Sequence, residues 1–240
     1  MKKHILTIVA AAAVSFSALA QTANEVIDKH VAAVGGLDKI NAIKTAQYDQ
    51  SINMMGMDMT AKTTVQVGQS SRTEVSVMGQ QIISVIDGDK GWSINPMQGG
   101  PAPVEMSADQ VKMSKGNTEV TGMQLAYAKM RNYPTKLVGK EKYQDKDVFN
   151  VEVTRPEGIV NYYVDASTYQ ILGTKAVVNA PQGQTMEVKA NFGDFKQVEG
   201  LTMPHKVEIT SPALPSAMTT QVTKVTLNPT VDAAIFAMPK

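Results

Sequence analysis

The densest run of distinctive side chains is Met54-Met55-Gly56-Met57-Asp58-Met59, four thioethers within six residues of a chain that holds 15 methionines. Thioethers are soft ligands and select Cu(I). Methionine is also flexible and polarizable, so it lines adaptable apolar surfaces. The further methionines at 78, 97, 106, 113, 123, 130, 186, 203 and 218 are scattered as such a lining would be. Other chemistry is scarce. There is no cysteine, and His30 and His205 are the only histidines beyond His4, so a zinc site of the usual ligands is not expected. His30 is placed on the polar side of a helix and His205 within a strand. No G-x-S-x-G or S-x-x-K occurs for nucleophilic catalysis. No P-loop or G-x-G-x-x-G occurs for phosphate binding. The carboxylate pairs Asp87/Asp89 and Asp145/Asp147 fall in turn sequences, where Asp bonds its own backbone.

The elements that must hold these residues are mostly strands. Asn24 can cap a helix from about Glu25 to Val34, and Leu37 to Ile43 can form a second short helical turn after Gly35-Gly36. From Thr45 the period is two: Thr63, Val65 and Val67 alternate with polar residues, as do Thr73, Val75 and Val77. Ile82 to Ile86 is apolar on both faces, which predicts a central strand, and Asp87-Gly88-Asp89 predicts a turn. Residues 96–104, rich in Pro and Gly, are expected to be a loop. Ser107 then caps a helical stretch, and a second helical piece is expected from about Thr118 to Arg131. Alternation resumes after Asn132-Tyr133-Pro134 and runs to a last strand near Met218 to Leu227, with Phe236 as a plug for the C-terminus. The count is about eleven strands. Their links are too short for crossover helices except residues 96–134, so antiparallel pairing dominates. A sheet of that size curls, and the helices are expected in its concave face.

The first residues give an address. Met1-Lys2-Lys3-His4 is a cationic start, Ile5 to Phe16 is apolar and uncharged, and Ala18-Leu19-Ala20 is the small-x-small pattern of a cleavage site. Cleavage after Ala20 is expected. The domains are therefore a signal peptide at 1–20 and a single domain at 21–240. The apolar run is shorter than the 20 or so residues a membrane span needs, and no second such run follows. Without cysteine there is neither a lipid-anchor attachment point nor a disulfide, so stability must come from burial. The whole chain has 23 Lys and Arg against 22 Asp and Glu; Lys2 and Lys3 lie in the leader, leaving 21 against 22. No basic stripe stands out, which argues against a nucleic-acid partner.

A resemblance rests on motifs spread along the chain. They are Val26-Ile27-Asp28-Lys29-His30 through Val34-Gly35-Gly36 to Ile40 and Ile43-Lys44-Thr45, and Asp87-Gly88 with Gly91-Trp92-Ser93-Ile94-Asn95-Pro96. Tyr163-Val164-Asp165, Gly193-Asp194-Phe195 with Gly200-Leu201-Thr202-Met203-Pro204, and Ile235-Phe236-Ala237-Met238-Pro239 continue the series. In this order they resemble the LolA/LolB-like superfamily, in particular its outer membrane lipoprotein-sorting branch. The resemblance implies an incomplete antiparallel β-barrel of about eleven strands, mainly β with helices as a lid over an apolar cavity in the concave face. It implies a soluble periplasmic carrier for the acyl chains of lipoproteins or another lipidic cargo. Carriers of this fold close the lid with an arginine from the barrel; Arg72, Arg131 and Arg155 are the only arginines, and the motifs assign none of them to that role.

The expectation is therefore a non-enzymatic, monomeric carrier of the periplasm without a cofactor or resident metal, in transient contact with a membrane complex. Trp92, Ile94, Met123, Tyr127 and Met130 are the expected cavity-lining residues, because a strand facing a lid helix would bring them together. Two alternatives stay open. One is an envelope sensor or accessory module that binds a protein partner through the curved sheet. The other is a Met-rich protein binding Cu(I) through Met54 to Met59.

Overall fold

A computed structural model describes residues 21–179 and 185–239, so the expected export sequence at 1–20 lies outside the described residues. The first helix, α1 (Ala23–Ala33), begins two residues earlier than the Asn24 cap predicts. Thr22 takes the cap because Glu25 stands three residues on. The Thr22 hydroxyl accepts from the Glu25 N–H and the Glu25 carboxylate accepts from the Thr22 N–H, a reciprocal box that satisfies two orphan donors. Val26, Ile27, Val31 and Val34 are buried. The glycine pair then turns the chain into α2 (Leu37–Ala42). Gly35 has φ +127, and a Cβ there would meet the Gly200 carbonyl oxygen at 2.7 Å, so no other residue fits.

Thirteen strands follow: β1 (Thr45–Met54), β2 (Met57–Gln66), β3 (Ser70–Val77), β4 (Gln80–Asp87), β5 (Lys90–Asn95), β6 (Gly100–Glu105), β7 (Thr135–Tyr143), β8 (Lys146–Arg155), β9 (Gly158–Asp165), β10 (Ile171–Asn179), β11 (Thr185–Val198), β12 (Leu201–Thr210) and β13 (Met218–Leu227). They make one antiparallel sheet in the order β6-β5-β4-β3-β2-β1-β13-β12-β11-β10-β9-β8-β7. β6 and β7 do not pair with each other, so the sheet is an open, incomplete barrel, as expected in class.

The strand count exceeds the expected eleven because both edges were hidden in the sequence. Residues 100–105, all but the last expected within a loop at 96–104, are strand β6 despite Pro101 and Pro103. An edge strand can carry proline because one row of its N–H groups has no partner to lose. β7 is masked in the same way by Gly139 and three lysines, which blunt a free edge.

The long link between the two edges is helical. Ser107 and Gln110 form a second capping box at the start of α3 (Ala108–Ser114). A 3₁₀ turn, Lys115–Thr118, follows, and then α4 (Gln124–Met130). The helix expected from Thr118 starts six residues late because Gly122, at φ +87, turns the chain against β12; a Cβ there would touch the Pro204 ring at 2.6 Å. α1 and α4 pack together on part of the concave face, and an ion pair between Lys129 and Asp28 joins them. Beneath them lies the core, with Ile27, Ile40, Met123, Leu125, Leu201 and Met203 almost wholly enclosed. Among the described residues none fills the rest of the concave face.

The C-terminal plug is present. Phe236, in a short 3₁₀ turn (Ala233–Phe236), is 2% exposed and packs with Ile83, Val85 and Trp92. Trp92 Nε1 donates to its carbonyl at 2.8 Å, and an Arg72 Nη1–H donates to the Ile235 carbonyl at 2.8 Å.

Candidate functional site

The unfilled part of the concave face is a cavity of about 530 Å³. Alternation along each strand builds its floor. Gln50 and Ile52 of β1, Thr63 and Val65 of β2, Ala176 and Val178 of β10, and Val207 and Ile209 of β12 project into it two by two. Its roof is the segment from Met113 to Gln124, which joins α3 to α4 and contributes Met113, Gly116, Asn117, Glu119 and Thr121. The expected helical cover therefore does lie over a cavity, which faces the end of α3, the 3₁₀ turn and the link to α4.

Register explains where the five expected lining residues stand. Ile94 is opposite Ile83 and Trp92 opposite Val85, whereas Ile82 is opposite Val75 and Val75 opposite Ala61, on the cavity face. Residues one apart point to opposite faces. Trp92 and Ile94 thus lie on the convex side, under the C-terminal plug. Met123 and Tyr127 are inside the packed core beneath the helices, and Met130 is half-buried against it. None of the five lines the cavity. The residues that do are mostly small aliphatics and threonines spread over eight strands, which no local motif marks.

The one strongly polar feature of the cavity is an ion cluster at its wall. The Glu119 side chain is fully buried, and Arg155, from the end of β8, is 4% exposed. Arg155 Nη2–H donates to Glu119 Oε1 at 2.8 Å, and its Nη1–H donates to Oε2 at 3.0 Å, a bidentate pair. Arg131, from the end of α4, also donates to Glu119 Oε1. Arg155 Nε–H donates to Glu157 Oε1 at 2.6 Å, and Nη1–H reaches the Tyr162 hydroxyl at 3.2 Å. Two arginines and two glutamates cancel, so the cluster is neutral as a whole. Burial opposes the Arg155 charge, but the Glu119 carboxylate and its neighbours outweigh this and hold the guanidinium above its usual value. Burial pushes the Tyr162 phenol up to about 12. Arg155 thus ties the end of β8 to the roof through Glu119.

The roof has a second tether on the other half of the sheet. Lys115 donates to the Gly88 carbonyl and, at 2.8 Å, to Asp89 in the β4–β5 turn. The Gly68 N–H also donates to the Thr118 carbonyl at 2.8 Å. Asp89 is exposed, so this side is held weakly compared with the Arg155 side.

The lining offers binding surface rather than reactive groups. Among the described residues it contains no histidine, lysine or serine, and both its carboxylates are engaged by Arg155. Among the described residues no three His, Cys, Asp or Glu side chains come together as a metal site. His30 and His205 lie elsewhere and are buried, where the sequence placed His30 on a polar helix face. His30 Nδ1–H donates to the Tyr169 carbonyl at 2.8 Å. Burial drives its pKa down to about 4, against partial support from the Tyr169 and Gly122 backbone, so the ring is neutral near pH 7.

No family model and no curated protein matches the chain in sequence. Solved structures do match in fold. A LolA superfamily protein from Nitrosomonas europaea superposes with a TM-score of 0.59 at 16% identity, covering 91% of this chain and 98% of that one. A DUF1329 family protein from Desulfovibrio piger gives 0.58 at 14% identity over 90% and 97%. An outer membrane lipoprotein-sorting protein domain from Vibrio parahaemolyticus gives 0.55 at 13% identity over 88% and 94%. The chain has a LolA-like fold.

Proposed function

We propose that this chain uses its LolA-like fold as an exported carrier, holding the acyl chains of a lipidic cargo, lipoproteins among them, in the cavity under residues 113–124. The observation that carries this reading is the unfilled, largely aliphatic concave face roofed by a tethered segment. Its volume is in the range of small-molecule sites. Ile52, Val65, Val160, Val178, Val207 and Ile209 offer an apolar floor where a filled core would otherwise be expected. Each acyl CH₂ moved from water onto such a floor contributes about 0.8 kcal/mol. The flanking threonines and the neutral ion cluster give the polar end of a lipid somewhere to rest without leaving a charge unpaired. Transit through the periplasm is supported by the cationic, apolar and small-residue order of residues 1–20.

Mass spectrometry of organic extracts of the purified protein, with displacement of a fluorescent fatty acid, tests this. Co-purifying lipid and saturable displacement are expected. A lipid-free extract together with no uptake of the probe would overturn the reading.

A further inference from the structure

We propose that Met54, Met57, Met59 and Met218 form a thioether site for a soft monovalent cation, Cu(I) or Ag(I). The local sequence puts Met54, Met55, Met57 and Met59 together, but the fold changes the set. Met55 is the turn residue of the β1–β2 hairpin, at φ 54, and is 65% exposed. The other three share the inner face of the sheet. Met54 is directly opposite Met57, and Ile52 is directly opposite Met59. Directly opposed residues project to one face with Cβ atoms about 4.5–5.5 Å apart. A fourth methionine arrives from far along the chain. Asn53 pairs with Thr219, which sets Met218 of β13 beside Met54 on that same face. Met54 and Met218 both pack against the small cluster formed by Ile52, Met59, Ala61 and Val77. Three adjacent strands thus carry four thioethers on one face, three of them packed in one cluster and Met57 directly opposite Met54.

The surroundings favour a soft ion over a hard one. Thioether sulfurs are neutral and polarizable, and the walls are Ile52, Val75, Val77 and Ile82. Asp58, the nearest carboxylate in sequence, points to the other face and is held by Asn53 at 2.7 Å. Ca²⁺ and Mg²⁺ need oxygen ligands that this spot does not supply. Cu(I) and Ag(I) accept sulfur alone. Exposure grades from Met57 at 41% to Met59 at 9%, which gives an entry path from the hairpin tip inward. The site does not depend on the cavity carrying acyl chains.

Titration of the purified protein with Ag(I), and with Cu(I) under a reducing atmosphere against a competing chelator, tests it. Methyl signals of ¹³C-labelled methionine are followed in parallel. A single equivalent is expected, shifting the methyls of Met54, Met57, Met59 and Met218 and leaving those of Met55 and Met78 in place. Met218→Leu, which keeps the volume, should weaken binding by at least about tenfold, since even an outer-shell partner is worth that much. Met55→Leu should leave it unchanged. No uptake, uptake that Met218→Leu does not weaken, or shifts spread to Met55 and Met78 would each overturn the proposal. The methyl spectrum of the unmodified protein decides the matter even if a variant fails to fold.

Discussion

Arg155 holds Glu119 by both ends of its guanidinium, at 2.8 and 3.0 Å, with both side chains out of water. The two residues belong to different layers: one ends a sheet strand, the other lies in the roof of the cavity. A buried ion pair is a poor source of net stability, because desolvation offsets most of the attraction, but it specifies one geometry. The pair therefore fixes the position of the roof against the end of β8.

Breaking the pair on one side should be costly. Arg155→Ala leaves Glu119 with only the half-exposed Arg131 and is expected to destabilise by roughly 3–5 kcal/mol. The double variant Glu119→Leu/Arg155→Met should recover most of that loss, since two apolar groups replace two paired charges. Urea unfolding of the single and double variants measures this. An Arg155→Ala protein as stable as the parent would show that the contact is not held in solution.

Filling the cavity should remove cargo without removing the fold. Ala176 projects from β10 into the open space. Ala176→Trp is expected to abolish co-purifying lipid and fatty-acid displacement, while the melting temperature shifts by only a few degrees, about the effect of 1 kcal/mol in a domain of this size. Lipid content equal to that of the parent protein would contradict the assignment of this space.

The buried His30 predicts a distinct acid window. As pH falls from 6.5 toward 4, the unfolded chain takes up a proton that the native ring, with its pKa lowered to about 4, refuses. Stability is complete above 6.5, declines across that window by of order 3 kcal/mol, and levels off below it. Asp165 acts lower down. The Ser167 hydroxyl and the Ser167 and Thr168 N–H groups outweigh its burial and bring its carboxyl to about 2, so its contribution is lost only below 3.8. Urea unfolding at pH 7 and pH 4.5 should show the decline in the parent protein and a much smaller one in His30→Gln. Equal declines would rule out His30 as the source.

The C-terminal plug has a built-in reporter. Trp92 is the only tryptophan, and its indole N–H bonds the Phe236 carbonyl. Phe236→Ala is expected to cost about 3–5 kcal/mol and to shift the Trp92 emission to longer wavelength as the turn leaves its seat. Unchanged emission would mean that the plug is held by other contacts.

The sequence made the inner strands and the capped helices legible because they obey local rules. Alternation marked β2 and β3, the Asp87-Gly88-Asp89 turn closed β4, and Ser107 announced α3. The edges escaped because β6 carries prolines and β7 carries charges, the features that let a strand survive without a neighbour. The site was less legible. Trp92 and Ile94 looked like lining, yet the face on which a strand residue points follows from its register with distant strands. Arg155 is unremarkable beside Pro156 until the fold brings Glu119 to it. Met218 lies some 160 positions from Met59 and joins it only through the β1–β13 pairing.

That pairing has a consequence of its own. β1 and β13, which come first and last, meet in the middle of the sheet, while the mid-chain strands β6 and β7 form its two borders. Residues 106–134 are thus the sole covalent bridge between a half built from β1–β6 and a half built from β7–β13. A protease nick in the exposed Gly116-Asn117 stretch would convert one molecule into two fragments that share the eight-pair β1–β13 ladder, the α1–α4 packing and the seat of Phe236 beside Trp92. The β1–β13 seam is thus the strand pairing that joins the two halves of the sheet.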